Sequence, residues 1–307
     1  MTSALISIAI PTHNRAALLR QTLDSLGQLI VPEGTALECV VIDNASTDAT
    51  AATVRSVTAK LPFPVRSVLE ERIGSSFARN RAIDETRGGL LCFIDDDVVV
   101  EPDWLLELCR TMVRRRLDVV CGMVLPRFVA DPPPWLGSRL YVKLAVHDAA
   151  AIEQMTAKET DHIHNYFSAN VGFRRQTFEL FGRFREDLGN VGGNPMSGED
   201  TELFARIMHR GGNIGFAPRA RVHHLIGPER LTAGYLRRKS FAFGVGSAFE
   251  GGPTHNRVEK LLRNALRMGQ AALRGDREAV IYHQLEIWNY FGFCRGRIIQ
   301  ARSSLRS

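Results

Sequence analysis

A chain of 307 residues, 45% of them hydrophobic, can bury a sizeable core in one large domain or two modest ones without disulfide or metal staples. No apolar run approaches the ~20 residues of a membrane span, and the N-terminal run lacks the basic start and small-residue cleavage site of a signal peptide, so the expected compartment is the cytoplasm. The net charge is +6, yet from Arg230 onward 14 Lys/Arg stand against 5 Asp/Glu, which puts the whole basic excess in the last quarter. That distribution suits a solvated helical face, an anionic membrane surface or a phosphate-bearing acceptor, and sets nucleic acid aside. Cys39, Cys92, Cys109, Cys121 and Cys294 are odd in number and form no C-x-x-C pair, as expected of reduced, buried thiols.

Taken in chain order, the run LISIAI at 5–10 predicts a first strand, and leucines at helical spacing predict a helix over 16–29. ECVVI at 38–42 predicts a second strand, a Ser/Thr/Asp start signal a helix over 48–60, and LLCFI at 90–94 a further strand. Strand and helix in alternation describe an α/β protein with a mostly parallel central sheet and helices on both faces. Ligands of such sheets bind at the carboxyl ends of the strands, and these strands run into PTHNR, DNASTD and DDD. The segment 126–165, with Asp131-Pro132-Pro133-Pro134-Trp135 and several histidines, predicts a loop or partly ordered insert. Regular structure resumes at 166–182 and in a helix over 201–210 stopped by Gly211-Gly212; two amphipathic helices parted near Gly275-Asp276 account for 258–299.

Three adjacent carboxylates, Asp95, Asp96 and Asp97, follow a buried strand and precede another apolar run. Like charges there destabilise the fold unless a cation or hydrogen-bond donors offset them, and a hard divalent ion such as Mg²⁺ or Mn²⁺, shared with substrate phosphates, does so. Asp43 ends its strand in the same way and can accept hydrogen bonds from a nucleobase or ribose, while Ser46, Thr47 and Asp48 can cap the next helix. No glycine-rich dinucleotide or P-loop motif follows the first strand. In GSSFARN, Arg79 can contact phosphates and Asn80 can hold the loop that carries them. Glu199 and Asp200 open a helix after Gly198, where the helix dipole favours an ionised carboxylate suited to act as a base. His223 and His224 end an extended piece, and an imidazole there can complete a metal shell.

Together these segments resemble the inverting glycosyltransferases of family 2, which have the GT-A fold. ISIAIPTHNR, CVVIDNASTDAT, GSSFARNRA and FIDDDVVVEPDWL are similar to the family's donor half, the last carrying its Asp-x-Asp pattern. NVGFRRQTFELFGRF, GEDTELFARI and PRARVHHLIGPERLTAGYLRRKSFAFG resemble its acceptor half. The resemblance implies a donor-binding half over 1–125, an acceptor-binding and catalytic half over 126–246 and a basic helical C-terminal extension over 247–307. It implies that Pro11, Thr12, Asn14 and Asp43 line the nucleoside pocket, that Asp95 and Asp96 lie near ribose and phosphate with Arg79, and that Asp97 ligates the metal. His224 matches the family's histidine better than His223 does. Asp200 would deprotonate the acceptor hydroxyl, with Glu199 on the acceptor side. The implied partners are a nucleotide-sugar donor, a UDP-sugar foremost, and a glycan or lipid-linked acceptor, with peripheral contact between the C-terminal region and an anionic membrane. A metal-dependent nucleotidyltransferase and a non-catalytic glycan- or membrane-binding protein on the same fold are the alternatives.

Overall fold

The first apolar run forms β1 (Ala4–Thr12), and the chain then alternates through α1 (Ala16–Leu26), β2 (Thr35–Asp43), α2 (Thr50–Thr58), β3 (Val65–Leu69), α3 (Ser75–Glu85) and β4 (Leu90–Ile94). A tight acidic turn leads to β5 (Val98–Val100), followed by α4 (Trp104–Arg115) and β6 (Val119–Phe128). Beyond these lie α5 (Ala149–Glu153), β7 (Asn170–Arg174), α6 (Arg175–Phe181), α7 (Glu199–His209), β8 (Ile214–Ile226), α8 (Ala233–Ser247), α9 (Arg257–Leu273) and α10 (Arg277–Ser304). The computed structural model describes residues 4–155, 166–189, 198–249 and 256–304.

All eight strands join one sheet in the order β3-β2-β1-β4-β7-β6-β8-β5. β1 to β4 pair in parallel, as do β6 and β8, while β7 is antiparallel to both β4 and β6, and β5 is antiparallel to β8. Side chains alternate across the pleat, so each strand feeds two cores. Ile8 and Cys92 join α1 and α4 residues such as Leu23 and Leu108 on one face, whereas Ala9 and Phe93 join Ile83 of α3 and Phe204 of α7 on the other. Helices therefore cover both faces, and the carboxyl ends of β1, β2 and β4 come to one edge.

The strand ends are stitched together by Asn170, which is fully buried. Its side-chain nitrogen donates to the carbonyls of Met123 and Ala220 at 2.9 and 2.8 Å, and its oxygen accepts from Trp104 Nε1 at 2.7 Å. Three hydrogen bonds of one buried amide, including both of its N–H donors, thus tie β7 to β6, β8 and α4. Gly122 leaves the space this amide fills, since a side chain there would overlap it, and the β6–β8 register shifts at the same point.

Segment 126–165 departs from the loop expected of its prolines. β6 continues to Phe128, a 3₁₀ turn spans Ser138–Leu144, and α5 follows; residues 156–165 lie outside the described residues. Polar anchors explain the order: Val124 N–H donates to His147 Nδ1 at 2.9 Å, and Lys143 pairs with Glu286 of α10 at 2.9 Å, both nearly buried.

The two C-terminal helices appear where expected, separated at Gly275, whose φ of 70° only glycine adopts freely. The second is not amphipathic, because α8 and α9 both pack against it and the face they leave to solvent, with Trp288, Phe291, Arg295 and Ile298, mixes apolar and charged residues. Its crossing with α8 is close enough that a β-carbon on Gly292 would overlap the Phe241 carbonyl, and one on Gly244 the Asn289 carbonyl. Among the described residues no helix is long and apolar enough to cross a membrane.

Candidate active site

The polar segments that end β1, β2 and β4 meet at one edge of the sheet. Thr12 and Asp43 are register partners at the ends of β1 and β2. Asp43 is buried and accepts the Ser46 N–H at 2.9 Å, closing the turn after β2. Ser46 does not cap α2; its hydroxyl accepts the Asn14 N–H at 3.0 Å. Asp48 alone engages the helix start, accepting the Thr50 N–H at 3.0 Å. Asn14 is exposed and accepts the Thr47 N–H at 2.7 Å, so its side chain braces one loop against the other. Asn14 and Ala45 both hold positive φ (53° and 55°), a conformation that costs a non-glycine residue and that these cross-loop bonds maintain. Pro11 lies beside them, half-buried.

The acidic triplet occupies the turn between β4 and β5. Asp95 is half-exposed, whereas Asp96 and Asp97 are buried. Thr12 donates its hydroxyl to Asp96 at 2.7 Å, and one Arg15 nitrogen bridges Asp96 at 3.0 Å and Asp97 at 2.9 Å. Arg230, 133 residues further on, donates to the same oxygen of Asp97 at 2.7 Å. Burial pushes the Asp96 carboxyl up to about 6, with Asp97 and Asp95 adding repulsion and Arg15 and Thr12 opposing it. Burial also opposes the Asp97 charge, but His224 when protonated, then Arg230 and Arg15, outweigh it and hold that carboxyl far below the usual range.

One oxygen of Asp97, Oδ1, is buried without a hydrogen-bond partner and lies 3.3 Å from His224 Nε2. Arg230 Nη1 lies 2.6 Å from that nitrogen, and a guanidinium can only donate, so Nε2 is an acceptor. A lone-pair nitrogen facing an orphaned carboxylate oxygen is the donor set a hard or borderline divalent cation takes. The pair therefore fits the expected metal, with the remaining ligands to come from substrate and water. No cluster of three or more His, Cys, Asp or Glu side chains suited to a metal occurs among the described residues. The alternation of strand side chains explains why His224 takes this position: its neighbour His223 points to the other face and bonds Glu101 at 2.9 Å.

A second cluster abuts the first through Arg79. This buried guanidinium contacts Glu199 at 2.5 Å, Ser168 at 2.8 Å and Asp95 at 3.5 Å. Its two terminal nitrogens are held by these groups while Nε is buried without a partner, and Arg79 ties the triplet to the start of α7. Asn80 clamps the chain at Phe184, donating to its carbonyl at 2.9 Å and accepting its N–H at 3.1 Å. Gly198, at φ 110°, makes the turn that lets α7 begin with Glu199 and Asp200. Burial opposes the Glu199 charge, but Arg79 and the Ser75 hydroxyl, 2.7 Å away, hold its carboxyl below the usual range. Asp200, half-exposed, accepts the Ser168 hydroxyl at 3.0 Å and its own neighbour's N–H, from Thr201, at 2.8 Å. Burial and the adjacent Glu199 charge raise its proton affinity, with Arg79 opposing. The direction differs from the helix-dipole expectation because desolvation and the neighbouring carboxylate dominate.

Arg15, Arg230, Ser75 and Ser168 were not among the predicted residues. Arg15 carries a signal, as the cation ending PTHNR opposite DDD; Arg230 and the serines have none in their local sequence. An apolar groove of about 880 Å³ lies between α4 and the amino ends of β1 and β4, lined by Leu5, Leu90, Leu106 and Met112, at the opposite edge of the sheet from these groups.

The family model described as Glycosyl transferase family 2 matches residues 7–181. The succinoglycan biosynthesis protein ExoM of Rhizobium meliloti (strain 1021) is 31% identical over 240 residues, covering 78% of this chain and 72% of that protein. Among solved structures, the mannosyltransferase PcManGT from Pyrobaculum calidifontis, in complex with GDP-Man and Mn²⁺, superposes with a TM-score of 0.62 at 18% identity, covering 98% of this chain and 75% of that one. S. aureus TarS 1-349 in complex with UDP gives a TM-score of 0.55 at 16% identity, covering 92% and 90% of the respective chains. At these identities the two structures speak for a shared GT-A fold.

Proposed function

The chain belongs to glycosyl transferase family 2, and from that premise we propose that it is an inverting enzyme that moves a sugar from a nucleotide-sugar, a UDP-sugar foremost, to the hydroxyl of a glycan or lipid-linked acceptor in cell-surface glycan synthesis. Family membership sets aside the nucleotidyltransferase alternative. The observation that carries the reading is the continuous charged path from the triplet to α7: Asp95 to Arg79 at 3.5 Å, Arg79 to Glu199 at 2.5 Å, and Asp200 next in the chain. It couples a donor-side acidic turn to a carboxylate of raised proton affinity, which is what a single displacement between two substrates requires.

In this reading the strand-end residues Pro11, Thr12 and Asp43 bound the nucleoside, with Asn14 bracing the loop above it. Asp95 and Asp96 face ribose and phosphate, and residues 1–125 and 126–246 form the donor and acceptor halves of one sheet. Asp97 and His224 would hold a divalent cation, which supplies charge neutralisation to the leaving diphosphate when bound; the neighbour carrying Mn²⁺ supports this. Arg79 is a positioning residue that fixes Glu199. Asp200 accepts the proton of the acceptor hydroxyl as that oxygen attacks the anomeric carbon and the nucleoside diphosphate leaves from the opposite face. Its bonds from Ser168 and Thr201 orient the carboxylate, and its raised proton affinity strengthens it as a base. The basic region from Arg230 onward contacts the cytoplasmic face of a membrane peripherally.

A panel of nucleotide-sugars screened by metal-dependent thermal stabilisation identifies the donor, since a ligand at 100 times its dissociation constant adds ~2.7 kcal/mol. With that donor, Asp200→Asn should bind as the parent does and turn over ~10²- to 10⁴-fold more slowly. Transfer at the parent's rate would refute Asp200 as the base.

A further inference from the structure

α9 carries an apolar face that nothing among the described residues covers. Its side turned toward α10 is formed by Leu261, Asn264, Met268 and Ala271, with Asn264 bonding His283 at 2.8 Å. A quarter-turn away, Val258, Leu262, Leu266 and Leu273 are 56%, 65%, 65% and 91% exposed. Together with Ala265, Gly269 and Ala272 these residues fall at helical intervals on a single stripe. The next sector of the helix presents exposed Arg263 and Arg267, and Arg274 continues it just beyond the last turn. Within α9 four cations, Arg257, Lys260, Arg263 and Arg267, stand against the single acid Glu259. Scattered exposed leucines are ordinary on protein surfaces; a continuous stripe with an arginine row along it is not.

We propose that this face of α9 is a membrane-docking surface that lies flat in the headgroup region of an anionic bilayer, its leucines inserted between acyl chains and Arg263, Arg267 and Arg274 against lipid phosphates. The charge decides the occupant. A second copy of the chain would bring a surface of the same sign, whereas an anionic leaflet brings the opposite one. No described helix can span a bilayer, so the contact is in-plane. On α10, packed beside α9, the exposed Trp288 and Phe291 form an edge-to-face ring pair 6.4 Å apart, the residue type that settles at headgroup level. The docking surface thus builds on the peripheral contact proposed above and puts its anchor in the stripe on α9 rather than in Arg237, Arg238 and Lys239 of α8. It is independent of the transfer chemistry.

The test is flotation of the full-length chain with vesicles of phosphatidylcholine alone and of equal parts phosphatidylcholine and phosphatidylglycerol, at low and high salt. The parent is expected to float with the anionic vesicles only, and less so at high salt, where the screening length falls from ~10 Å at 0.1 M to ~3 Å at 1 M. Leu262→Ser/Leu266→Ser, which alters exposed side chains only, should lower vesicle affinity ~10-fold or more, as expected for removing two inserted leucines. Arg237→Ala/Arg238→Ala/Lys239→Ala should retain most of the binding. A parent that ignores anionic vesicles at low salt, or a leucine variant that binds as the parent does, overturns the proposal. So does sedimentation velocity showing a concentration-dependent dimer that the leucine variant abolishes, which would give the stripe to a second copy. Metal-dependent hydrolysis of a nucleotide-sugar without vesicles should be equal in parent and leucine variant. Its absence from both would sink the transferase reading while leaving the vesicle result standing.

Discussion

Replacing Glu199 by Gln keeps its shape and removes one buried charge from the middle of the proposed site. Glu199 and Arg79 are each less than 10% exposed and touch at 2.5 Å. Breaking such a pair costs ~3–5 kcal/mol where the surviving charge has no other partner. Here Arg79 keeps Ser168 at 2.8 Å and Asp95 at 3.5 Å, so the lower end, about 3 kcal/mol, is expected, or roughly 5 °C in melting temperature for a chain of this size. Glu199 is held below the usual range in the folded protein, so its stabilisation is complete above the ordinary glutamate range and fades as pH falls through it. The gap in melting temperature between parent and variant should accordingly narrow only below about pH 4. The kinetic consequence has its own sign. Asp200 has a raised proton affinity, to which burial contributes first and the Glu199 charge next. Without that charge the affinity falls, the ionised base persists to lower pH, and the acidic limb of the pH–rate profile moves down. The rate at the plateau falls as well, because a weaker base takes the proton. The assay is transfer or donor hydrolysis from pH 4 to 8 on variant and parent; an acidic limb that stays in place or moves up would refute the coupling of Glu199 to the base.

Asp97→Asn should weaken Mn²⁺ binding in the presence of nucleoside diphosphate by ~10-fold or more in calorimetry, and His224→Gln, which leaves both arginine contacts of Asp97 in place, should do so with the fold intact by circular dichroism. Unchanged Mn²⁺ affinity in both variants would refute the assignment of the orphaned Asp97 oxygen and His224 to a metal. Gly292→Ala should destabilise by ~1–3 kcal/mol, because its β-carbon would meet the Phe241 backbone rather than a movable side chain; an unchanged melting temperature would mean that α8 and α10 cross less closely.

What the sequence disclosed of the site, it disclosed through local conflict. Three carboxylates after an apolar strand demand a counter-charge, and a glycine before an acidic pair demands a turn; the guanidinium groups on Asp97 and the positive φ of Gly198 meet those demands. The identity of the counter-charge was not legible, because it is a long-range fact. The metal expected beside Asp97 is preceded by two arginines of the chain itself, one from the β1 loop and one 133 residues away. β7 escaped for a similar reason: five residues do not tell which neighbours they pair with, and the ladders to β4 and β6, with the bonds Asn170 makes to β6, β8 and α4, set its place. The arginines also explain how adjacent carboxylates come to differ. Asp97 receives both guanidinium groups on one oxygen and stays ionised, while Asp96 shares Arg15 and gains only a hydroxyl, so burial prevails and lifts it to about 6. For a cation to take the free oxygen of Asp97 together with His224, Arg230 must let go of the imidazole nitrogen that it now occupies at 2.6 Å. A guanidinium released there would stand beside the acidic turn, where an incoming diphosphate brings charge for it to bind, so entry of the cation and retention of the diphosphate would be linked through Arg230.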